Sequence, residues 1–212
     1  MRWKVVALVA GLLIAQAGAV FAQYGESRFE ITPYAGYRWG GGLSTLNLVR
    51  NFDTQDNYVY GIGLGMVTPK NSSVEVAWTH FEGELTAETI ATGIPITSPS
   101  LLKRDDIMLN GYWYAYNPDA SVKPYFTAGL GAAIFSYPGL SSIGRFSWNL
   151  GLGLRADFNE GLGLRLGGKW TPVWITTGSG VWCDPFYCYS VGTGENYDQW
   201  EASAGLILKL GR

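Results

Sequence analysis

The sequence predicts an all-β chain: a transmembrane β-barrel of about eight antiparallel strands, with short turns at one end and longer loops at the other. Three observations predict it. The chain opens on a leader that marks export, and nothing after that leader is apolar for long enough to make a spanning helix. The remainder alternates polar and apolar residues at the period of a β-strand.

Met1-Arg2-Trp3-Lys4 is a short basic start, and Val5 to Ala17 is apolar apart from Gln16. Val20-Phe21-Ala22 then puts small residues on both sides of Phe21, before a cut after Ala22. This is the layout of a Sec-type signal peptide, and the apolar run falls short of the roughly 20 residues of a membrane anchor. The expected organisation is therefore a signal peptide over residues 1–22 and one barrel domain over 23–212. Beyond Ala22, Gly, Arg or Asn interrupts every apolar run. Only helices and closed barrels satisfy the backbone in lipid, so the mature chain crosses a membrane as strands or stays soluble in the periplasm.

The composition, 29 Gly with 15% aromatic and only 15% charged residues, is unlike that of an ordinary soluble domain, which carries about 25% charged residues. The 15 basic residues stand against 17 acidic ones and form no stripe, which argues against a nucleic-acid partner.

Eight runs carry the strand pattern: Arg28 to Trp39, Asn57 to Val67, Ser73 to Phe81, Asp105 to Tyr116, Lys123 to Phe135, Gly144 to Phe158, Gly161 to Ile175, and Gln199 to Leu210. Thr68 to Ser72, Asn117 to Val122 and Asn159-Glu160 are tight connections built on Pro, Asn and Asp. Gly40 to Asp56, Glu82 to Arg104 and Thr176 to Asp198 are long, and Ser136 to Ile143 is modest. Sorting of short turns to one end and long loops to the other is the wiring of an outer-membrane barrel.

Side-chain volume decides which face meets lipid. In the sixth run Trp148, Leu150, Leu152 and Leu154 share one face, against Asn149, Gly151, Gly153 and Arg155. The last two runs repeat this, with Trp170 and Trp200 on the apolar face and Arg165, Lys169, Glu201 and Lys209 on the other. The lumen of an eight-stranded barrel is only just wide enough for side chains, so glycines and paired charges fit inside while Leu and Trp would overfill it. A lipid-facing Arg or Lys would cost about 2–4 kcal/mol at mid-bilayer. The expected lumenal charge network is Glu30, Arg38, Glu75, Arg155, Arg165, Lys169, Glu201 and Lys209. It serves either as a salt-bridged plug or as the lining of a narrow pore. Trp39, Trp113, Trp148, Trp170 and Trp200 lie towards strand ends and are expected at the membrane interfaces. Tyr112, Tyr114 and Tyr116 are open to either side.

The stretch Phe29-Glu30-Ile31-Thr32-Pro33-Tyr34-Ala35-Gly36-Tyr37-Arg38-Trp39-Gly40-Gly41 resembles the opening strand of OmpA-like outer-membrane β-barrel proteins. Trp200-Glu201-Ala202-Ser203-Ala204-Gly205-Leu206-Ile207-Leu208-Lys209-Leu210 resembles their closing strand, although the chain ends on Leu210-Gly211-Arg212 where that family often ends on an aromatic residue. The resemblance covers essentially the whole mature chain. It implies residence in the Gram-negative outer membrane, handling by the barrel-assembly machinery through the last strand, and a role in envelope integrity, adhesion or surface interaction.

No catalytic, cofactor-binding or metal-binding constellation stands out. His80, the sole histidine, ends the third run beside Glu82. A lipid-modifying hydrolase would need a serine tied to it, and no pattern supplies one. The readings of function are a non-enzymatic surface protein, a narrow conduit for small solutes, a lipid hydrolase, or a soluble apolar-ligand barrel with its faces inverted. Cys183 and Cys188, the only cysteines, sit in the last long loop with Pro185 between them. In an oxidising compartment this spacing reads as a disulfide pinning the loop, and an extracellular ligand is expected at such loops. The two thiols should therefore resist alkylation in purified protein until a reductant is added. Full alkylation without reductant, read by intact mass, would discard the staple.

Overall fold

Alternation at period 2 closes into an antiparallel cylinder in the computed structural model, which describes residues 28–41, 49–68, 71–89, 95–115, 120–136, 141–174, 181–183, 188–190 and 196–210. The leader, Tyr116 and Gly211-Arg212 lie outside the described residues. In chain order the strands are β1 (Arg28–Gly40), β2 (Val49–Thr54), β3 (Asn57–Thr68), β4 (Ser72–Thr89), β5 (Pro95–Tyr114) and β6 (Val122–Ser136). They continue as β7 (Ile143–Asp157), β8 (Leu162–Trp174), β9 (Val181–Cys183), β10 (Cys188–Ser190) and β11 (Asn196–Leu210).

Eight of these form the barrel. β1 pairs with β3, the order continues through β4, β5, β6, β7 and β8 to β11, and β11 returns to β1. Each of the eight expected runs lies within or overlaps one barrel strand. The differences fall on the long loops. β4 and β5 continue pairing past the expected rim as far as Glu88↔Pro95, and β2 adds to the edge of β4 there. Residues 82–89 and 95–104, expected as loop, are therefore mostly sheet. The ladder satisfies its own backbone groups in water as well as in lipid, so it need not stop where the membrane does. In the last long loop, β9 and β10 form a separate two-stranded ribbon.

The packing is inverted relative to a soluble protein. Leu64, Leu130 and Leu152 are 57%, 58% and 70% exposed, whereas Arg38 and Glu201 are each 1% exposed. Inverted faces, as a soluble apolar-ligand barrel would need, are not what the chain adopts. On the outer wall Trp39, Trp200 and Trp170 stand in register across β1, β11 and β8. Trp148 meets Trp170 edge-on at 5.0 Å between centroids. Trp113 lies near the opposite end, 5.9 Å from Phe126. Two tryptophan levels with Leu, Ile and Val between them match the arrangement expected of aromatic girdles.

Inside, two tyrosines lodge against glycines on neighbouring strands. Tyr34 is directly opposite Gly61 on one side and Gly205 on the other. Tyr125 is opposite Gly153, which is itself opposite Gly167. A Cβ at Gly153 would come within 2.5 Å of Tyr125 Cζ and would also strike the Leu166 carbonyl oxygen. The missing side chain is the seat for the ring, which pins the register of three strands. Gly153→Val should lower the free energy of unfolding in micelles by about 1–3 kcal/mol, the usual cost of overpacking. Equilibrium urea titration followed by tryptophan fluorescence measures it; an unchanged midpoint would mean that the ring yields freely.

Candidate functional site

The lumen is where the fold buries charge among the described residues, and it differs from end to end. At its extracellular end Val59, Phe81, Leu102, Ala133, Phe135, Val173 and Tyr197 are all buried. They come from β3, β4, β5, β6, β8 and β11 and close the lumen with an apolar layer. Two guanidinium groups pack against this layer. Arg38 lies 5.5 Å from the Phe81 ring centre, and Arg104 lies 5.5 Å from Phe135 and 5.8 Å from Tyr197.

The same two arginines join a chain of ion pairs. Arg38 contacts Glu201 at 2.7 Å and Asp106 at 2.9 Å, Arg104 contacts Asp106 at 2.7 Å, and Lys169 contacts Glu201 at 2.9 Å. Arg104 also donates to Gln199 Oε1 at 2.5 Å. Taking ions out of water costs several kcal/mol each, so charges persist here only because every carboxylate is shared between two cations.

Midway, Arg165 donates to both oxygens of Glu75 at 2.8 and 3.1 Å, and the Tyr112 hydroxyl donates to Glu75 at 2.8 Å. Asn149 donates to Asn110 at 2.8 Å. A cavity of about 40 Å³ lies among these groups, room for one or two waters. Asn149 Oδ1 has no hydrogen-bond partner among the described residues, which suits a water there. Tyr112 and Tyr114 both face inward: Tyr112 is buried, and Tyr114 lies beneath the Arg155 guanidinium at 5.2 Å.

At the periplasmic end the lumen widens to a vestibule of about 590 Å³. Arg155 clasps Glu30 through two bonds of 2.5 and 2.9 Å and meets Asp157 at 3.0 Å; Lys209 meets Asp157 at 2.8 Å. The structure thus brings the eight expected lumenal charges into three groups: Arg38, Lys169 and Glu201; Glu75 and Arg165; Glu30, Arg155 and Lys209. Sequence reasoning passes over Arg104 and Asp106; Asp157 shares the inward polar face with Arg155 but is not among the eight expected charges. Strand parity was the available signal, because Arg104 and Asp106 share a face with Asn110 and Tyr112 on β5.

His80 points the other way. It sits on the outer wall, with Nδ1 2.8 Å from Asp105 and Nε2 3.3 Å from Glu82. Lys103 contacts Glu82 at 2.7 Å, and the Tyr60 and Trp78 rings flank the imidazole. Both ring nitrogens meet carboxylates, and among the described residues no serine hydroxyl is bonded to His80. The β9–β10 ribbon sets Cys183 directly opposite Cys188 in backbone register. Their side chains lie outside the described ones.

Glu201→Gln leaves Arg38 and Lys169 buried without their shared counter-charge, and should cost about 3–5 kcal/mol of stability. Glu82→Gln, on the 39%-exposed outer-wall pair, should cost under about 1 kcal/mol. Urea unfolding of both variants in the same micelles checks the contrast; equal losses would show that lumen and surface pairs contribute alike.

Known proteins agree with this architecture. The structure resembles the crystal structure of Neisserial surface protein A, with a TM-score of 0.58, 15% identity, and 87% of this chain and 99% of that chain covered. It also resembles the outer membrane protein OprG from Pseudomonas aeruginosa, with a TM-score of 0.57, 13% identity, and 89% and 98% covered. For the outer membrane protein AlkL, solved in DMPC bilayers, the TM-score is 0.51, with 16% identity and 89% and 92% covered. At such identities the likeness is one of fold. No curated protein matches the sequence. The family model for the outer membrane protein beta-barrel domain matches residues 5–207, and with eight strands closed around a charged lumen, the chain belongs to that family.

Proposed function

We propose that the protein is a non-enzymatic barrel that acts at the cell surface, in envelope integrity or in adhesion, through the strands and loops beyond its extracellular rim. The observation that carries this reading is the difference between the two ends of the lumen. An apolar layer closes the extracellular end above cross-linked ion pairs, while β4, β5 and β2 extend the sheet past the rim. A barrel of about eight strands filled in this way is a solid core, since open aqueous channels belong to much larger barrels. Solute conduction is the poorer reading for the same reason.

On this reading the chain is exported as a precursor cut after Ala22. It is inserted by the barrel-assembly machinery acting on β11, and it carries a last loop stapled by Cys183 and Cys188. The aromatic residues of that loop sequence, Trp182, Phe186, Tyr187 and Tyr189, are the groups we assign to contact with an extracellular partner.

Replacing residues 178–194 by a short Gly-Ser turn should leave a heat-modifiable, protease-resistant barrel. It should reduce adhesion of expressing cells to cultured epithelial cells or their resistance to detergent. If both phenotypes survive the replacement, the loop has no such role. In planar bilayers the intact barrel should give no sustained unitary steps, whereas steady conductance from it would favour the conduit.

A further inference from the structure

The periplasmic vestibule carries more positive charge than its structural pairs use. Among the described residues, Arg28, Lys123, Arg155 and Lys209 line it, against Glu30 and Asp157. These cations come from four strands, β1, β6, β7 and β11, and all lie at lumen-facing positions.

The register makes the excess more telling. Lys123 stands directly opposite Arg155, and Arg155 directly opposite Arg165, so three cations form a row across β6, β7 and β8. Like charges directly opposite on paired strands are destabilising. Glu75 answers Arg165, and Glu30 answers Arg155. Among the described residues, Lys123 is left with Asp157 at 3.8 Å, and that carboxylate is already held by Arg155 at 3.0 Å and Lys209 at 2.8 Å. A plug built only for stability would not set a third cation into this row, where one carboxylate must serve three.

We propose that the vestibule is a binding site for a phosphate group reaching it from the periplasmic side, seated between Lys123 and Arg28. The excess of two positive charges matches the charge of about −1.5 to −2 on a phosphate monoester near neutral pH. The cavity, of about 590 Å³, lies in the range of small-molecule sites. Arg28 stands exposed at the mouth, where it meets an anion first, and the Lys123 ammonium supplies a compact charge at the wall. The ion pairs of Arg155 hold the wall in place, so the ligand need not break them.

Pyrophosphate is the probe. Titrated calorimetrically into the folded barrel in non-ionic micelles, it should bind saturably at one site. The double variant Lys123→Gln with Arg28→Gln should weaken binding about tenfold or more, through lost charge-assisted hydrogen bonds. Lys123→Arg alone should retain it. All variants should keep the heat-modifiable band, because neither residue belongs to the tightly paired core. Absence of saturable binding to the parent barrel, or equal affinity in the double variant, overturns the site. Repeating the titration in nanodiscs identifies the source. Competition by phosphatidylglycerol, but not by a zwitterionic lipid, assigns the phosphate to a headgroup, and indifference to both assigns it to a soluble ligand.

Discussion

Everything in this molecule follows from a lumen that, above its periplasmic vestibule, is too narrow to hold bulk water and too polar to be left dry without partners. A sheet of eight strands encloses little more than its own inward side chains, and lipid on the outside forbids charge there. Each inward carboxylate therefore meets a cation, from its own strand, from the neighbouring strand or from across the lumen. Arg38 reaches Glu201 on the neighbouring strand and Asp106 across the lumen, and Arg155 reaches Glu30 across more than a hundred residues of chain. These pairs exist only once the cylinder has closed. Closure and charge neutralisation are thus one event, and an unclosed sheet would expose both its edge and its ions.

The membrane-facing half of this design was legible in the sequence. In β7, β8 and β11 the contrast between the faces is sharp, Leu and Trp against Gly, Arg and Glu, so period, face and lipid orientation could be read together. β5 is harder to read. Asp105 and Asp106 are adjacent acids on opposite faces, one bonded to His80 outside and the other to Arg104 inside. Composition cannot separate them; only parity counted along the strand can. Partner identity was harder to read for a different reason. Arg104–Asp106 and Arg155–Asp157 are two residues apart on one strand, but Arg38–Asp106, Arg155–Glu30 and Arg165–Glu75 join residues remote in the chain, and the barrel's shear decides which of those meet. The continuation of β4 and β5 beyond the rim was hidden because its Thr, Glu, Ser and Pro look like loop, while the backbone ladder that forms it has no side-chain signature.

The lumen is also polarised in chemistry. Its extracellular end is apolar and sealed, its middle holds a cavity the size of one or two waters, and its periplasmic end is wide and cationic. Arg38 and Arg104 lie against Phe81, Phe135 and Tyr197, and Arg155 lies over Tyr114, so aromatic faces partly replace lost hydration at both ends, while Arg28 at the periplasmic mouth stays exposed. The tyrosine–glycine seats lie between these ends, where a wall of small residues makes room for rings that brace the cylinder from within.

The overhang of β4 and β5 has a consequence of scale. Seven residue steps, from Glu82 to Thr89, at the rise of an extended strand amount to about 23 Å of hairpin, measured along the strand, beyond Glu82. That is most of the thickness of a hydrocarbon core added on the outside. A partner kept away from the rim by the sugars of the outer leaflet would still meet this blade. Among the described barrel strands β4 and β5 run on furthest in this way, so the blade marks one side of the cylinder in the plane of the membrane.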